Sequence, residues 1–159
     1  MQRFTMIATG YVFFIKDKKI LLSRRFNTGY EDGKYSVPAG HIEENESLIV
    51  GTCREIKEEV GVPLLPKDMR LVHVMHRHED DIRMDFFFTV DTWYTEPKNM
   101  EPDKCDDLAW FPLDQLPQNT IPYIRSAIEH FRNNELYSEF GWDGRQLCDL
   151  KTGRKQGKN

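Results

Sequence analysis

Glu55, Glu58 and Glu59 are spaced so that a helix would carry all three carboxylates on one face. Like charges at this spacing destabilise a helix, so folding alone does not call for them. A solvated acidic face is the commoner outcome for such a run. Clustered, rigid carboxylates are also what hard cations such as Mg²⁺ bind, usually beside substrate phosphates. From these residues alone, metal binding and a solvated face are equally open.

The segment around these glutamates has the pattern of a packed helix. Apolar residues recur at helical spacing on the opposite face: Leu48, Ile49, Cys53, Ile56 and Val60. We expect Asn45 to cap this helix and Gly61, with Pro63 behind it, to end it. An apolar face fixes a helix against a core, so the glutamates would be held in one orientation.

The remaining elements read as hairpins and one further helix. The predicted strands are Thr5–Ile15, Ile20–Arg25, Met69–His78, Ile82–Tyr94 and Leu108–Phe111, and the predicted helix is Ile121–Asn134. Strands joined mainly as hairpins favour an α+β chain, an α-β-α sandwich with a mixed β-sheet packed between helices. We expect a single domain over residues 1–142 and a basic, flexible tail over residues 143–159, which hold five basic and two acidic residues.

Composition excludes several classes of protein. The 159 residues are 39% hydrophobic with a net charge of −4, and the mean hydropathy is −0.63. The charge argues against nucleic acid polymers and anionic membranes as partners, and no long apolar run predicts a membrane span. Three widely spaced cysteines fit neither a disulfide framework nor a zinc site. With no signal-peptide pattern at residues 1–5, we expect a cytoplasmic monomer or homodimer.

The acidic helix belongs to a longer spaced pattern, G-x5-E-x7-R-E-U-x-E-E-x-G-U, where U is aliphatic. All nine defined positions match: Gly40, Glu46, Arg54, Glu55, Ile56, Glu58, Glu59, Gly61 and Val62. This pattern is the Nudix box, and its length makes a chance match far less probable than for a lone glycine-rich motif. Over roughly residues 5–135 the chain therefore resembles a Nudix hydrolase.

The resemblance implies an activity and a cofactor. Nudix enzymes cleave a diphosphate linked to another group X, using Mg²⁺ or Mn²⁺ and an attacking water. By the family pattern, Glu58 and Glu59 are the principal metal ligands. Glu55 is either a further ligand or the base that orients the water, and these alternatives stay open. Cation-held phosphates suit a reaction that needs positioning and charge neutralisation more than covalent chemistry.

Other box residues take supporting roles under the same resemblance. Arg54 is expected to orient a box carboxylate, and Glu46 to support the site from behind the ligands. Gly40 is expected to permit a tight turn into the helix beside the substrate. The carbonyl of Ala39 is a further candidate metal ligand.

Residues outside the box are weighed with their alternatives. A later loop often supplies another metal-site carboxylate in this family, and the candidates are Glu101, slightly preferred, and Asp103; a solvated loop carboxylate is equally open for each. Arg24 is expected to meet substrate phosphates, which suit a guanidinium. Tyr35 and Ser36 fall where related enzymes line the base pocket, although Tyr35 is equally compatible with the core. We also expect His76 and Arg83 to reach the rim.

Residues 96–105 bear on the substrate. The stretch reads E-P-K-N-M-E-P-D-K-C and is similar to a segment in a branch of MutT-like nucleoside triphosphate pyrophosphatases. The first hypothesis is therefore a (d)NTP pyrophosphatase that releases nucleoside monophosphate and pyrophosphate from a small-molecule nucleotide. The alternatives are an ADP-ribose or NDP-sugar pyrophosphatase, and a catalytically silent Nudix-fold nucleotide-binding regulator.

Overall fold

The computed structural model describes residues 1–142, which form two β-sheets and two α-helices. The elements are β1 (Ile7–Phe13), β2 (Ile15–Lys16), β3 (Lys19–Arg25), β4 (Tyr35–Ser36), β5 (Ala39–His41), α1 (Leu48–Val60), β6 (Met69–His78), β7 (Ile82–Val90), β8 (Cys105–Pro112), α2 (Pro122–Arg132) and β9 (Tyr137–Phe140). One 3₁₀ turn, Pro66–Asp68, leads into β6.

The larger sheet is mixed, with five strands in the order β5-β1-β7-β6-β9. Strands β1 and β7 are parallel, as are β6 and β9, whereas β5 pairs with β1 and β6 with β7 in antiparallel fashion. In the smaller sheet β3 pairs antiparallel with β2, β4 and β8. Helix α1 lies against β1 and β5, and α2 lies against β6 and β9.

Strand β1 is buried on both faces, which is what a three-layer packing requires. Its side chains alternate between two cores, because successive residues of a strand point to opposite faces. Tyr11 and Phe13 enter the core that α2 covers, while Val12 and, just after the strand, Phe14 enter the core that α1 covers. The predicted α-β-α sandwich with a mixed sheet between helices is confirmed.

Two glycines let α1 approach the sheet closely. Gly10 of β1 and Gly40 of β5 are direct cross-strand partners. A Cβ atom on Gly10 would lie 1.8 Å from Oγ1 of Thr52, and one on Gly40 would lie 1.9 Å from Cγ of Glu55. The expectation that Gly40 permits a tight turn is therefore wrong, since it lies within β5 and makes room for the helix. This contact fixes the height of the acidic helix above the sheet.

The start of α1 also differs from the prediction. Ser47 caps the helix, and its hydroxyl accepts a hydrogen bond from the Val50 N–H at 3.3 Å. Asn45 instead occupies the preceding loop with φ 71°, a left-handed conformation that asparagine tolerates better than most residues. Gly61 ends the helix as predicted, with φ 71° and its N–H bonded to the Lys57 carbonyl.

Several strand boundaries differ from the predicted ones. Strand β8 is longer than predicted, and β9 was not predicted at all because its short sequence carries little signal before it pairs with β6. The expected tail, residues 143–159, lies outside the described residues. Neither helix between residues 1 and 142 is long and apolar enough to cross a bilayer.

We expect Gly10→Ala to destabilise the fold by about 1–3 kcal/mol, because the added methyl overpacks the contact with Thr52. Chemical denaturation would measure the change in the free energy of unfolding. The double variant Gly10→Ala/Thr52→Ala should recover part of the loss, since it removes the hydroxyl and a methyl at the clash. Equal instability of the single and double variants would contradict this account.

His73 links β6 to the strand after α2 from a fully buried position. Its Nδ1 lies 2.7 Å from the Glu135 carbonyl and so donates, while its Nε2 accepts from the Ser138 hydroxyl at 2.7 Å. This arrangement needs the neutral ring. Burial lowers the pKa of His73 below its ordinary 6.5, despite the hydrogen bond to Glu135.

The free energy of unfolding should therefore decrease as the pH is lowered below about 6.5. In that range His73 binds a proton more readily in the unfolded chain than in the folded protein. Thermal melts between pH 8 and pH 5 would measure this slope. His73→Gln should melt lower at pH 8 yet lose less stability across the same interval. A slope identical in the two proteins would contradict the assignment.

Candidate active site

A cavity of about 710 Å³ opens where α1, β1, β3 and β5 meet the segment before β8. It is large enough for a nucleotide-sized ligand. Most residues that the sequence suggested for the site line it: Arg24, Ser36, Ala39, Gly40, Glu55, Glu58, Glu59 and Glu101. Four carboxylates therefore face one space, although they come from a helix and a distant loop.

Glu59 is the carboxylate whose environment is least favourable to its charge. It is partly buried, and its Oε2 accepts a hydrogen bond from the Ala39 N–H at 3.1 Å. Burial raises the pKa of Glu59 to about 8, with smaller contributions from the negative charges of Glu101 and Glu55. A nearby cation would stabilise the ionised form.

Arg54 connects the box carboxylates behind the cavity. It donates to Glu46 at 2.7 and 3.1 Å and to Glu55 at 2.9 Å, and it lies 3.5 Å from Glu58. These hydrogen bonds, with one from the Glu43 N–H, lower the pKa of Glu46 to about 2. Neither Arg54 nor Glu46 lines the cavity. Their contacts match the supporting positions that the box pattern predicts, with Arg54 offsetting repulsion along α1.

The segment before β8 is fastened to the end of α1. The Lys98 N–H donates to the Val60 carbonyl at 3.0 Å, and the Met100 N–H donates to the Glu59 carbonyl at 3.0 Å. Carbonyls in the last turn of a helix have no partner within the helix, so this segment satisfies two of them. The same bonds hold the loop beside the acidic face.

This attachment decides which loop carboxylate reaches the cavity. Asn99 braces the loop internally: its Oδ1 accepts from the Glu101 N–H at 3.0 Å, and its Nδ2 donates to the Cys105 carbonyl at 2.7 Å. Glu101 lines the cavity, whereas Asp103 is exposed and does not line it. The preference for Glu101 agrees with this placement.

Basic side chains line the same cavity as the carboxylates. Arg24 lines it and pairs through Nε with Asp106 at 2.7 Å. Sequence reasoning missed Arg25 and Lys104, which also line it. Arg25 donates to the Tyr30 carbonyl at 2.7 Å and so holds the loop over residues 26–34 in place. A cavity lined by carboxylates and by guanidinium and ammonium groups can bind a cation together with phosphates.

Comparison with known proteins decides the family. The model of the NUDIX domain matches residues 5–131. This chain belongs to the Nudix family. An ADP-ribose pyrophosphatase of Methanocaldococcus jannaschii is 34% identical over 120 residues, which cover 74% of this chain and 68% of that protein. Phosphatase NudJ of Escherichia coli K12 is 22% identical over 116 residues, covering 68% and 76%.

A solved structure gives the same assignment. The crystal structure of a MutT Nudix hydrolase from Burkholderia pseudomallei superposes with a TM-score of 0.72 at 28% identity, covering 79% of this chain and 97% of that one. The protein is thus a Nudix pyrophosphohydrolase, as the sequence predicts, and Nudix hydrolases generally use divalent metal ions.

The residues of this Nudix site suit such a cation, although they do not form a finished cage. Within residues 1–142, no three His, Cys, Asp or Glu side chains converge as a ready metal site. Glu55 is instead turned toward Arg54, and Ala39 contributes its N–H to Glu59. The chemistry of the donor set fits a hard cation, since all four side chains are carboxylates and burial disfavours the charged form of Glu59.

Two expectations about the pocket walls are resolved by burial. Tyr35 is 7% exposed, bonds through its hydroxyl to Asp107 and does not line the cavity, so the core alternative describes it. Ser36 does line the cavity, with its hydroxyl donating to the Val37 carbonyl at 3.2 Å. Of the two rim candidates, Arg83 lines the cavity. His76 is not among the lining residues and packs against Trp142.

Sequence reasoning missed an entire wall of the Nudix cavity. Thr9, Tyr11, Tyr30 and Tyr123 line it, and they come from β1, the loop over residues 26–34 and α2. The alternation along β1 indicates that Thr9 and Tyr11 share a face. It carries no signal of which face meets the cavity, because that depends on distant pairings.

We expect Glu59→Gln to lose hydrolysis by orders of magnitude without lowering the melting temperature. The variant removes a charge that burial opposes, so the fold should tolerate it, while a cation would lose a ligand. Hydrolysis rates in Mg²⁺ and thermal melts would be measured together. Glu44→Gln, an exposed acid of the same segment outside the cavity, is the matched control. Normal turnover by Glu59→Gln would contradict the metal-site expectation.

Proposed function

We propose that this Nudix hydrolase is a Mg²⁺- or Mn²⁺-dependent (d)NTP pyrophosphatase, which releases nucleoside monophosphate and pyrophosphate. The observation that carries the proposal is that one cavity is lined by four carboxylates and by four basic side chains, Arg24, Arg25, Arg83 and Lys104. A nucleoside triphosphate brings several negative charges that need both a cation and basic groups. Retention of every box carboxylate argues against a catalytically silent regulator.

In this proposal the carboxylates divide the work. Glu58 and Glu59 hold the cation, with Glu101 and the Ala39 carbonyl as further ligands. The bound cation would polarise the phosphate oxygens and lower the pKa of a coordinated water. Glu55 either joins the ligands or accepts the proton of the attacking water, which its position on the same helical face allows in both cases.

Arg54 and Glu46 would hold the carboxylates in this arrangement. Arg54 restrains Glu55 through a 2.9 Å hydrogen bond, and its hydrogen bonds to Glu46 fix the guanidinium itself. Charge held in place before the substrate arrives needs little reorganisation in the transition state.

In this proposal, basic side chains that line the cavity bind the phosphates. Arg24, Arg25 and Lys104 offer donors to the outer phosphates, and a guanidinium matches phosphate geometry. Water then attacks the inner phosphorus: its oxygen bonds to that phosphorus, the bond to the bridging oxygen breaks, and pyrophosphate leaves. The segment over residues 96–105, similar to one in MutT-like triphosphate pyrophosphatases, supports the triphosphate as substrate.

ADP-ribose is the second candidate, and one specific observation favours it. The relative named ADP-ribose pyrophosphatase is 34% identical over 120 residues. A diphosphate linking two ribosyl groups would use the same cation and water. It would place a second sugar where the terminal pyrophosphate of a triphosphate lies.

A substrate panel separates these candidates. We expect kcat/KM to be higher for dGTP or its 8-oxo form than for ADP-ribose or a UDP-sugar. Chromatography of the products should give monophosphate and pyrophosphate. Glu58→Gln, prepared identically, controls for contaminating hydrolases. A clear preference for ADP-ribose, or release of orthophosphate from dGTP, would refute the triphosphate proposal and leave the family assignment intact.

A further inference from the structure

A β-bulge lies where Arg25 joins the wall of the cavity. Successive residues of a regular strand point to opposite faces, yet Arg24 and Arg25, at the end of β3, both line the cavity. The pairing register shifts between them, because Arg24 lies opposite Asp107 whereas Arg25 lies opposite Cys105, which leaves one extra residue on β8. Bulges are common beside active sites, where they re-aim a side chain. Alternation along β3 therefore gives no indication that Arg25 belongs to the site.

The loop over residues 26–34 holds the Arg25 guanidinium at two of its nitrogens. Nε donates to the Tyr30 carbonyl at 2.7 Å, and Nη2 donates to the Thr28 hydroxyl at 3.1 Å. The guanidinium carbon lies 5.4 Å from the centre of the Tyr30 ring, within the range of a cation–π contact. These contacts restrict the rotamers of a long side chain before substrate binds. They do not use Nη1, which can donate to a ligand in the cavity.

The Thr28 hydroxyl can accept from Arg25 only if its own proton points elsewhere, since a hydroxyl has one proton and two lone pairs. Its oxygen accepts from the Tyr30 N–H at 3.2 Å and lies 2.5 Å from Oδ1 of Asp32. The Tyr30 carbonyl is 2.9 Å away but already accepts from Arg25. A carboxylate is the stronger acceptor, so the proton goes to Asp32. Both lone pairs of the hydroxyl are then directed to N–H donors.

The Asp32 carboxylate is itself fixed by backbone N–H groups of the same loop. The Thr28 N–H lies 3.0 and 3.1 Å from its two oxygens, and the Gly29 N–H donates to Oδ2 at 2.9 Å. Hydrogen bonds from the Thr28 hydroxyl and from these N–H groups lower the pKa of Asp32. The ionised carboxylate can only accept, so it keeps the hydroxyl proton directed to itself. Asp32 does not line the cavity.

The loop that carries these groups is attached to the body of the protein near both ends. The Phe26 N–H donates to the Lys104 carbonyl at 2.9 Å. The Asn119 side chain donates through Nδ2 to the Gly33 carbonyl at 2.8 Å. The hydrogen bonds inside the loop can therefore fix Arg25 relative to the cavity, and not only relative to the loop.

The charge of Arg25 acts on the acidic part of the cavity. Burial raises the pKa of Glu59, and the positive charge of Arg25 is among the effects that lower it. The two side chains therefore interact, as expected where a cation held by carboxylates and a guanidinium share one phosphate ligand. A guanidinium already oriented before the substrate arrives needs little reorganisation.

We propose that Asp32 is a positioning residue for hydrolysis: it accepts the proton of the Thr28 hydroxyl and thereby fixes the Arg25 guanidinium in the orientation that binds the phosphates of the substrate. The inference rests on the proposed function in taking Arg25 to bind phosphate. It holds for a triphosphate and for ADP-ribose alike, because both contain a diphosphate.

A double-mutant cycle tests whether Asp32 acts through Arg25. Asp32→Asn replaces the carboxylate by a weaker acceptor that carries its own N–H donors, so the Thr28 hydroxyl loses its fixed orientation. With the best substrate of the panel, kcat/KM should fall about three- to tenfold, mainly through KM. In an Arg25→Ala background, the same substitution should change kcat/KM by less than about twofold. Equal losses in the two backgrounds would show an effect on the fold and overturn the inference.

Two further comparisons control for charge and for the hydroxyl. Glu31→Gln removes a carboxylate of the same loop that pairs with Lys34 and does not line the cavity, so it should match the parent enzyme. Thr28→Ser keeps the hydroxyl and should retain kcat/KM, whereas Thr28→Val should lower it as much as Asp32→Asn does. Full activity of Thr28→Val would contradict the inference.

Binding of inorganic pyrophosphate separates this inference from the proposed function. Its Kd in Mg²⁺ would be measured by isothermal titration calorimetry. Asp32→Asn should weaken binding about three- to tenfold in the parent enzyme and leave it unchanged in the Arg25→Ala background. Undetectable binding by the parent enzyme, or equal weakening in both backgrounds, would overturn the inference. A preference for ADP-ribose, or failure to hydrolyse nucleoside triphosphates, with this binding pattern intact would refute only the proposed function.

Discussion

The close contact between α1 and the β1–β5 pair sets the geometry on which the remaining site depends. Gly10 and Gly40 face each other across the two strands, and neither position leaves room for a Cβ atom beneath the helix. The helix lies so near to the sheet that the Thr52 and Glu55 side chains occupy the space where those Cβ atoms would be. At that height Glu55 passes over Gly40, and Glu59 reaches the N–H of Ala39. A larger residue at either glycine would lift the carboxylates away from the strand that completes the cavity.

Close packing of an acidic helix brings carboxylates near one another and takes some of them out of water. The two sides of α1 differ in how this cost is offset. On the outer side, Arg54 draws Glu46, Glu55 and Glu58 around one guanidinium. On the inner side, Glu59 accepts a hydrogen bond from the Ala39 N–H, and burial raises the pKa of Glu59 to about 8. The first arrangement stabilises the folded helix by itself. The second disfavours ionisation of Glu59, which a bound cation would favour; strongly shifted pKa values of this kind are common at functional sites.

The box residues could be identified from the sequence because their arrangement depends on local helical spacing. Helical spacing brings Glu55, Glu58 and Glu59 to one face whatever surrounds them, so α1 and its acidic face could be predicted. The choice between Glu101 and Asp103 depends on hydrogen bonds to a helix some forty residues earlier, and no local pattern reports them. The place of Thr9 in the cavity wall is harder still to predict, since the face of β1 that meets the cavity depends on pairings with distant strands.

The hydrogen bonds from Lys98 and Met100 to the last carbonyls of α1 couple the end of the helix to the loop that carries Glu101, so the two segments move together. If the final helical turn frays, the loop that carries Glu101 loses its anchor; if the loop lifts, two carbonyls lose their partners. Opening at either place is therefore cooperative with opening at the other. The carboxylates of the helix end and of the loop stay assembled together or come apart together, and partly assembled forms are suppressed.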